Sequence, residues 1–589
     1  MPQHQRTGLR YTAERVARGV GIIANMRRQP AGPRPEPPPD PQTTQRPRTT
    51  VDATLEPGAG NRYRLLRWGP GEPHLVREDL GARRPAETAP RTPATSLLYF
   101  AHHTDVHLCD AQSPARMEPG ERLAWVNPGT DAGHRPQELC TLQVFDQMVR
   151  ATNTVATSPD TGAPMAFCIQ TGDNTDNRQW AETRWFVDVL DGRPVTPNTG
   201  DPARYEGVQA GHHAPWAYHP DGDGRDPYRR YGFPHLRSYL DSAIKGFEPA
   251  GIDVPWLAVL GNHDTIWQGT FGALGAIRFD KAGDVLTRSA RKPTTVRSLV
   301  WLTALTSAGL DNATDRWASG SGRSPLRSSQ TVTADPAARR PLSRQELLKE
   351  YFNSAAEPGP TGHGFTDDNL TDGTAYWSRP HGRQFQLIGL DTNNQTTGSE
   401  GRIGPRQFAW LTAELAAATA AGRMVIMFSH HNSWTMTNAV DDDADPGRSH
   451  GGDEVVELLL AHPDVILWVN GHSHENRILA HRGPNGDGTG FWELNTASCI
   501  DFGQQSRTVE VIDNGDGTLS IRTAAIDHAA PPSVPLRAAG HYTPEQLASL
   551  SRELAANDAR WIDPFGQRGQ VEDRNAELIV HRPTTESAG

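Results

Sequence analysis

Five short stretches of this chain gather carboxylate, amide and imidazole side chains: Asp105-Val106-His107, Gly172-Asp173-Asn174-Thr175-Asp176, Gly261-Asn262-His263-Asp264, Ser429-His430-His431 and Gly471-His472-Ser473-His474. Carboxylate oxygen, amide oxygen and imidazole nitrogen suit borderline divalent ions such as Mn, Fe, Zn or Co. Asp105 and His107 stand two residues apart, as do His472 and His474. In extended backbone such residues share a face, so each pair can aim at one point. Singly, each stretch also has an ordinary structural reading. Asp105 could cap a helix, Gly172-Asp173 and Gly471–His474 could be turns, and His430 or His431 could be a hydrogen-bonded core imidazole.

Position changes the balance. Each stretch follows an apolar run that reads as a buried strand: Leu97–Ala101, Met165–Ile169, Trp256–Leu260, Met424–Phe428 and Val465–Val469. The carboxyl ends of strands are where α/β folds place their ligands. Helical patterns lie between them, at Leu139–Val149, Trp180–Leu190, Leu236–Phe247, Arg344–Phe352, Pro405–Ala421 and Asp453–Ala461. Ser343-x-x-Glu346 is a capping box for the fourth, and Pro405 suits the first turn of the fifth. Late strands are expected at Phe491–Leu494, Thr508–Ile512 and Leu519–Thr523, the last two joined by an Asn514-Gly515-Asp516-Gly517 hairpin. A helix over Pro544–Ala556 follows. Strands alternating with helices, then a run of strands, predict an α/β core that closes as a sandwich.

The chain has 589 residues and a formal net charge of −11, from 58 basic and 69 acidic residues. The length allows one elaborated domain or several. The acidic balance argues mildly against a nucleic-acid partner, which calls for a basic groove. No run approaches the ~20 apolar residues that span a bilayer. Residues 1–28 are too charged, and their apolar pattern too broken, for a secretory leader, so the expected location is cytoplasmic. The four cysteines, Cys109, Cys140, Cys168 and Cys499, lack CxxC spacing and read as reduced thiols.

Residues 1–50 are expected to be a disordered basic tail and Pro-rich linker, and 51–95 an arm packed on the main domain. Residues 96–530 carry the five stretches, with insertions near 191–250 and 265–380. Residues 531–589 form a C-terminal helix and tail. The first insertion holds His212, His213, Trp216, Tyr218, His219, Tyr228 and Tyr231, either a lid over the centre or an irregular surface loop. In the second, one helix is expected, Arg344–Phe352.

In their order, the five stretches resemble the motif set of the calcineurin-like metallophosphoesterase superfamily: Asp-x-His, Gly-Asp-x-x-Asp, Gly-Asn-His-Asp/Glu, a later His, and Gly-His-x-His. The resemblance runs from about Leu97 to Ile500 and implies a four-layer α/β/β/α sandwich, here with long insertions. It implies that Asp105, His107, Asp173 and His474 hold one divalent ion, that Asp173, Asn262, His430 and His472 hold a second, and that Asp173 bridges them. Seven such groups are too many for one tetrahedral zinc and fit two ions about 3.5–4 Å apart, with Mn, Fe or Zn expected. Asn262 adds an oxygen without charge, which leaves the centre cationic and able to hold phosphate. His430 is the expected ligand because the family's ligand directly follows the strand; His431 becomes a residue that contacts substrate.

The implied reaction is phosphoester hydrolysis, in which a hydroxide bridging the two ions attacks phosphorus in line and the ions stabilise the equatorial oxygens. The resemblance makes His263 the acid at the leaving oxygen, paired with Asp176, which would raise its pKa and fix its ring. The expected substrate is a small phosphoester. The alternatives are a phosphodiesterase or nuclease acting on nucleotides or nucleic acid, and a non-catalytic metal-binding scaffold. Asp176 stands where purple acid phosphatases place a metal-binding Tyr, which argues against a ferric–tyrosinate centre. Ser-His-His-Asn at His430 differs from the His-His-Pro of many cyclic-nucleotide phosphodiesterases. Only Arg178 corresponds to the paired arginines of protein serine/threonine phosphatases, which argues against that class. Gln112, Ser113 and Arg116 follow Asp105 closely and could contact phosphate; the alternative for Arg116 is a surface arginine.

Overall fold

The apolar runs ahead of the five stretches all become strands, and they lie in the parallel parts of two mixed sheets. In chain order the strands of these sheets are β1 Leu75–Arg77, β2 Thr95–His103, β3 Phe167–Thr171, β4 Trp256–Val259, β5 Trp377–His381, β6 Phe385–Gly389, β7 Met424–Phe428, β8 Val465–Asn470, β9 Arg477–Arg482, β10 Gly490–Asn495, β11 Gln505–Asp513, β12 Thr518–Asp527 and β13 Ala576–His581. The first sheet has the order β1-β13-β12-β11-β2-β3-β4, and the second β5-β6-β7-β8-β10-β9. β2, β3 and β4 are parallel, as are β6, β7, β8 and β10. Parallel strands bring their carboxyl ends to one edge, so the loops carrying the five stretches emerge together.

The computed structural model describes residues 46–58, 63–84, 94–123, 133–211, 213–265, 268–269, 273–274, 277–319, 329–355, 357–396, 398–483, 489–537, 540–558 and 564–583, with positions 34 and 37. Most of the basic tail and linker, and His212, lie outside these residues. Arg34 is described, and its Nε lies 2.6 Å from Glu553 Oε1.

Six helices concern the site: α1 Thr141–Thr154, α2 Trp180–Asp191, α3 Arg344–Phe352, α4 Pro405–Ala420, α5 Gly452–Leu460 and α6 Pro544–Ala556. Strand alternation decides what each face meets. In β7, Ile426 and Phe428 enter a large core shared with the first sheet, while Val425 and Met427 enter another with Leu411 and Leu415 of α4 and Val455 and Leu459 of α5. In the shared core Phe100 stacks on Phe167 at 5.1 Å and meets Phe428 edge-on at 5.9 Å. Leu142, Phe145 and Met148 of α1 and Phe186 of α2 belong to that core as well. The architecture is mixed α/β.

Several elements differ from the sequence reading. The region 265–380 also contains helices Phe279–Thr287, Val296–Ser307 and Asp311–Ala318. The second of these is capped by Thr295 with Ser298 at its third position, a weaker signal than a Ser-x-x-Glu box. The pattern at Leu236–Phe247 yields only Tyr239–Ala243, which starts after a left-handed Ser238. Within the segment read as a C-terminal tail, β13 pairs with β12 on one side and β1 of the N-terminal arm on the other. In the first insertion, Tyr218 and Tyr228 are buried with Phe233 and with Leu547, Leu550 and Leu554 of α6, and both ring nitrogens of His219 meet backbone carbonyls, of Gln209 and Ala214. The segment is thus a packed subsidiary core. Among the described residues, no helix is long and apolar enough to cross a membrane, and the four cysteines are buried and free.

Candidate metal centre

Three of the five stretches leave their strands through left-handed turns. Asp105 (φ 51°), His107 (48°), Asp173 (47°), His472 (70°) and His474 (58°) all adopt left-handed backbone. Such residues cost about 1–3 kcal/mol each and persist where the surroundings over-determine them, which happens at functional sites. Asp105/His107 and His472/His474 therefore converge through left-handed turns, not through the extended pleat that their spacing suggested. Glycine makes the approach possible: Gly172 (φ 90°) packs so closely that a Cβ would lie 2.5 Å from Gly261 N. Asp264 ties the two loops, accepting from Gly261 N–H (2.8 Å) and Thr175 N–H (2.9 Å).

The expected ligands gather in two groups. In one, His474 Nε2 lies 3.2 Å from Asp105 Oδ1 and 3.2 Å from His107 Nε2. In the other, Asn262 Oδ1 lies 3.0 Å from both His430 Nε2 and His472 Nδ1. Asp173 stands between them, with Oδ2 3.5 Å from His107 Nε2 and 3.3 Å from His430 Nε2, while Oδ1 accepts from His263 N–H (2.7 Å). All seven side chains are at least nine-tenths buried, and two triplets among them, Asp105/His107/His474 and Asp105/Asp173/His430, could hold an ion; two further groups draw in His431 and His263.

The donor chemistry fits cations. His107 Nδ1 faces Asp176 Oδ1 at 3.1 Å, and His474 Nδ1 faces Asp501 Oδ2 at 2.7 Å. Ionised carboxylates only accept, so each Nδ1 carries the proton and neutral rings leave the two Nε2 lone pairs facing each other. His430 Nδ1 likewise meets the carbonyl of Thr171 at 2.9 Å, so its Nε2 faces the oxygens of Asn262 and Asp173. Asp105 Oδ1 is buried without a hydrogen-bond donor among the described residues; its Oδ2 accepts from Thr104 Oγ1–H (2.7 Å) and His472 N–H (2.9 Å). Acceptors facing acceptors in a dry site call for positive charge between them. The same field acts on His430: burial lowers its pKa, but the Asp173 and Asp105 carboxylates outweigh burial and raise it to about 9.

His263 Nδ1 lies 3.2 Å from the Asp176 carbonyl oxygen and 3.4 Å from its Oδ1. Asp176 thus serves His107 and His263 together. Burial raises the Asp176 pKa, but the Arg116 guanidinium and the two imidazoles outweigh it and hold the carboxyl well below the usual carboxylate range. Both ring nitrogens of His431 are engaged, Nδ1 with Thr392 Oγ1 (2.8 Å) and Nε2 with the Ser399 carbonyl (2.9 Å), so any contact to substrate would break one of these bonds.

Sequence reasoning misassigned Arg116 and missed Asp501. Arg116 is fully buried and donates to Asp176 Oδ2, so it is not a surface residue. No local pattern announces it, because its partner lies far along the chain. Asp501 holds His474 and is itself held by Arg135 Nε at 3.0 Å. It follows strand β10 on the same edge as the other loops, so the strand-end rule applied once more would have flagged it.

No family model and no curated protein matches this chain. A solved structure, a dimetal phosphatase from Danio rerio, is similar over 74% of this chain and 99% of its own, at 11% identity and a TM-score of 0.32, a likeness too slight to argue from.

Proposed function

We propose that this chain is a dinuclear, metal-dependent phosphohydrolase of calcineurin-like type, built on an α/β/β/α sandwich. The observation that carries this reading is Asp173 Oδ2, poised between His107 Nε2 and His430 Nε2 at 3.5 and 3.3 Å. One carboxylate between two sets of lone pairs is what two cations sharing a ligand require. Asp105, His107, His474 and Asp173 would hold one ion; Asn262, His430, His472 and Asp173 would hold the other, Mn, Fe or Zn matching these donors. Two divalent ions in such a site supply Lewis acidity and an activated water at neutral pH.

The chain's own residues do the rest. Asp105 and Asp173 are the carboxylates among the ligands, while Asp176 and Asp501 are offset by Arg116 and Arg135. Two divalent cations would therefore keep a surplus of positive charge, which suits a bound phosphate. His263 has Nδ1 committed to Asp176, so Nε2 is the atom left to hold a proton or give it to a leaving oxygen. The left-handed turns and near-complete burial fix these groups before substrate arrives.

The test is a paired assay on Mn-loaded protein, comparing p-nitrophenyl phosphate with bis(p-nitrophenyl) phosphate, with Asp173→Ala as control. Hydrolysis of either that disappears with Asp173→Ala supports the reading, and the preferred substrate assigns a monoesterase or a diesterase. Protein that binds Mn yet hydrolyses neither ester refutes catalysis of these esters and favours a scaffold.

A further inference from the structure

The carboxylate of Asp176 has two jobs on one oxygen and two supports on the other. Oδ1 meets His107 Nδ1 at 3.1 Å and His263 Nδ1 at 3.4 Å. Oδ2 accepts from Arg116 Nη1 and from Gln268 Nε2 at 3.1 Å. Arg116 is fixed in turn: Nη2 donates to Glu138 Oε2 at 2.9 Å, and Nε lies 3.5 Å from Glu118 Oε1. Lys292 Nζ, from the second insertion, lies 2.5 Å from Glu118 Oε1 and donates to the Ser113 carbonyl at 2.6 Å. Each of these charged side chains is fully buried or nearly so.

A carboxylate can turn about its last torsion, and single N–H donors on Oδ1 do little to stop it. A guanidinium is planar, keeps its proton in proteins and presents donors in a rigid fork. With its fork held by Glu138 and Glu118, Arg116 can hold Asp176 in one orientation.

We propose that Arg116 is a positioning residue: by fixing Asp176 Oδ2 it keeps Oδ1 on His107 and His263 together, so one buried arginine sets the tautomer of a metal ligand and the orientation of the histidine beside the reacting oxygen. This rests on the metal-centre reading above. Its signature is selectivity. Loss of Arg116 disturbs the ion site that uses His107 and leaves the site of Asn262, His430 and His472 alone, whereas a general loosening of the core would weaken both.

The experiment is a two-site Mn(II) titration of the full-length protein, followed by calorimetry and electron paramagnetic resonance, with kcat and KM measured alongside. Arg116→Gln is expected to weaken one of the two Mn sites by about 10–100-fold, the usual effect of removing a partner behind a ligand, and to lower kcat more than it raises KM. Arg116→Lys, which keeps the charge without the fork, is expected to recover part of both losses. Glu138→Gln loosens the hold on Arg116 without touching Asp176, and is expected to weaken the same single Mn site, by less than Arg116→Gln does, while the other site stays put. The proposal is overturned if Arg116→Gln keeps both affinities, or weakens both sites equally as a loosened core would. If Arg116→Gln does not fold, Gln268→Leu removes the other donor on Oδ2; it must weaken the same single site, and an unchanged titration overturns the proposal. Wild-type protein that binds no Mn would sink the phosphohydrolase reading instead, so the two failures are distinguishable.

Discussion

Gly172→Ala removes no ligand, yet it is expected to dismantle the centre. The new Cβ would lie 2.5 Å from Gly261 N and 2.7 Å from Gly261 Cα and the Leu260 carbonyl carbon. Ordinary contacts begin near about 3.5 Å, so the two loops must part by roughly 1 Å. The obstacle is backbone and cannot swing aside. Gly172 also sits at φ 90°, where an L-residue costs about 1–2 kcal/mol, and overpacking adds about 1–3 kcal/mol. The strain, about 2–5 kcal/mol in all, falls where Asp173 meets the Asn262–Asp264 turn, across the 2.7 Å bond from His263 N–H to Asp173 Oδ1. A displacement of about 1 Å at a reacting centre costs on the order of 100-fold in rate. The control is Gly162→Ala: φ 79°, with nothing within 4 Å of its Cβ, so it carries the backbone term alone. Mn titration and kcat/KM on the paired esters are measured for both variants. Gly172→Ala should lose at least about tenfold in Mn affinity and about 100-fold in kcat/KM, with Gly162→Ala near wild type. If Gly172→Ala stays within about threefold of Gly162→Ala in both, the coupling of the two loops through this contact is refuted.

His263→Ala should retain both Mn ions and lose rate, most for esters whose leaving group needs a proton; loss of metal in place of rate would remove His263 from the acid role. Asp501→Asn, which weakens the acceptor behind His474 Nδ1 (2.7 Å), should weaken one Mn site by about tenfold, and an unchanged titration would show that His474 needs no such partner. His363 is fully buried, stacked on Trp256 at 3.3 Å, and burial outweighs its bonds to the Trp256 and Gly359 carbonyls to push its pKa down to about 3. The unfolded chain takes up this proton from about pH 6.5 downward while the fold does not, so stability should fall with pH between about 6.5 and 3, by about 1.4 kcal/mol per unit from this residue. In denaturant titrations across that window, His363→Leu should show a correspondingly shallower pH dependence; an identical slope would mean the imidazole is already protonated in the fold.

The parts of the centre legible in the sequence are those whose signal is local. An apolar run predicts a strand, the carboxyl end of a parallel strand predicts a loop at the ligand edge, and Asp, Asn and His there predict metal chemistry. The choice of His430 over His431 rested on adjacency to the strand; His430 Nε2 faces Asp173 and the nitrogens of His431 meet Thr392 and Ser399, while both imidazoles stand with His472 in one group that could hold an ion. The argument from extended backbone reached convergence by the wrong route. Left-handed turns bring Asp105, His107, His472 and His474 together, and although Asp and His tolerate that conformation better than most residues, they adopt it too rarely for it to be expected from sequence. Arg116–Asp176 and Lys292–Glu118 were illegible because each joins residues distant in the chain, whereas Asp501 lay within reach of the strand-end rule. A lone arginine or lysine looks alike on the surface and in a buried network.

The insertions show the same dependence on distant partners, and it changes what they are for. Residues just after Asp105-Val106-His107 are held by the core, through Thr141, Gln179 and Glu182, and by both inserted segments. Asp110 Oδ2 accepts from Thr199 Oγ1–H and from Arg339 Nε, Gln112 Nε2 donates to Asn198 Oδ1 (2.7 Å) and Oε1 accepts from Glu206 N–H (2.7 Å), and Lys292 Nζ donates to the carbonyls of Ala111 (3.2 Å) and Ser113 (2.6 Å). Thr199 and Glu206 belong to the first insertion, Lys292 and Arg339 to the second. A backbone held at φ 51° and 48° in Asp105 and His107 keeps its strain only while its surroundings are rigid. Both insertions clamp the chain immediately downstream of those two residues, so they act as supports of the centre whatever else they do for substrate. Shortening either one should therefore loosen the metal site before it alters selectivity, the order opposite to that of a decorative lid.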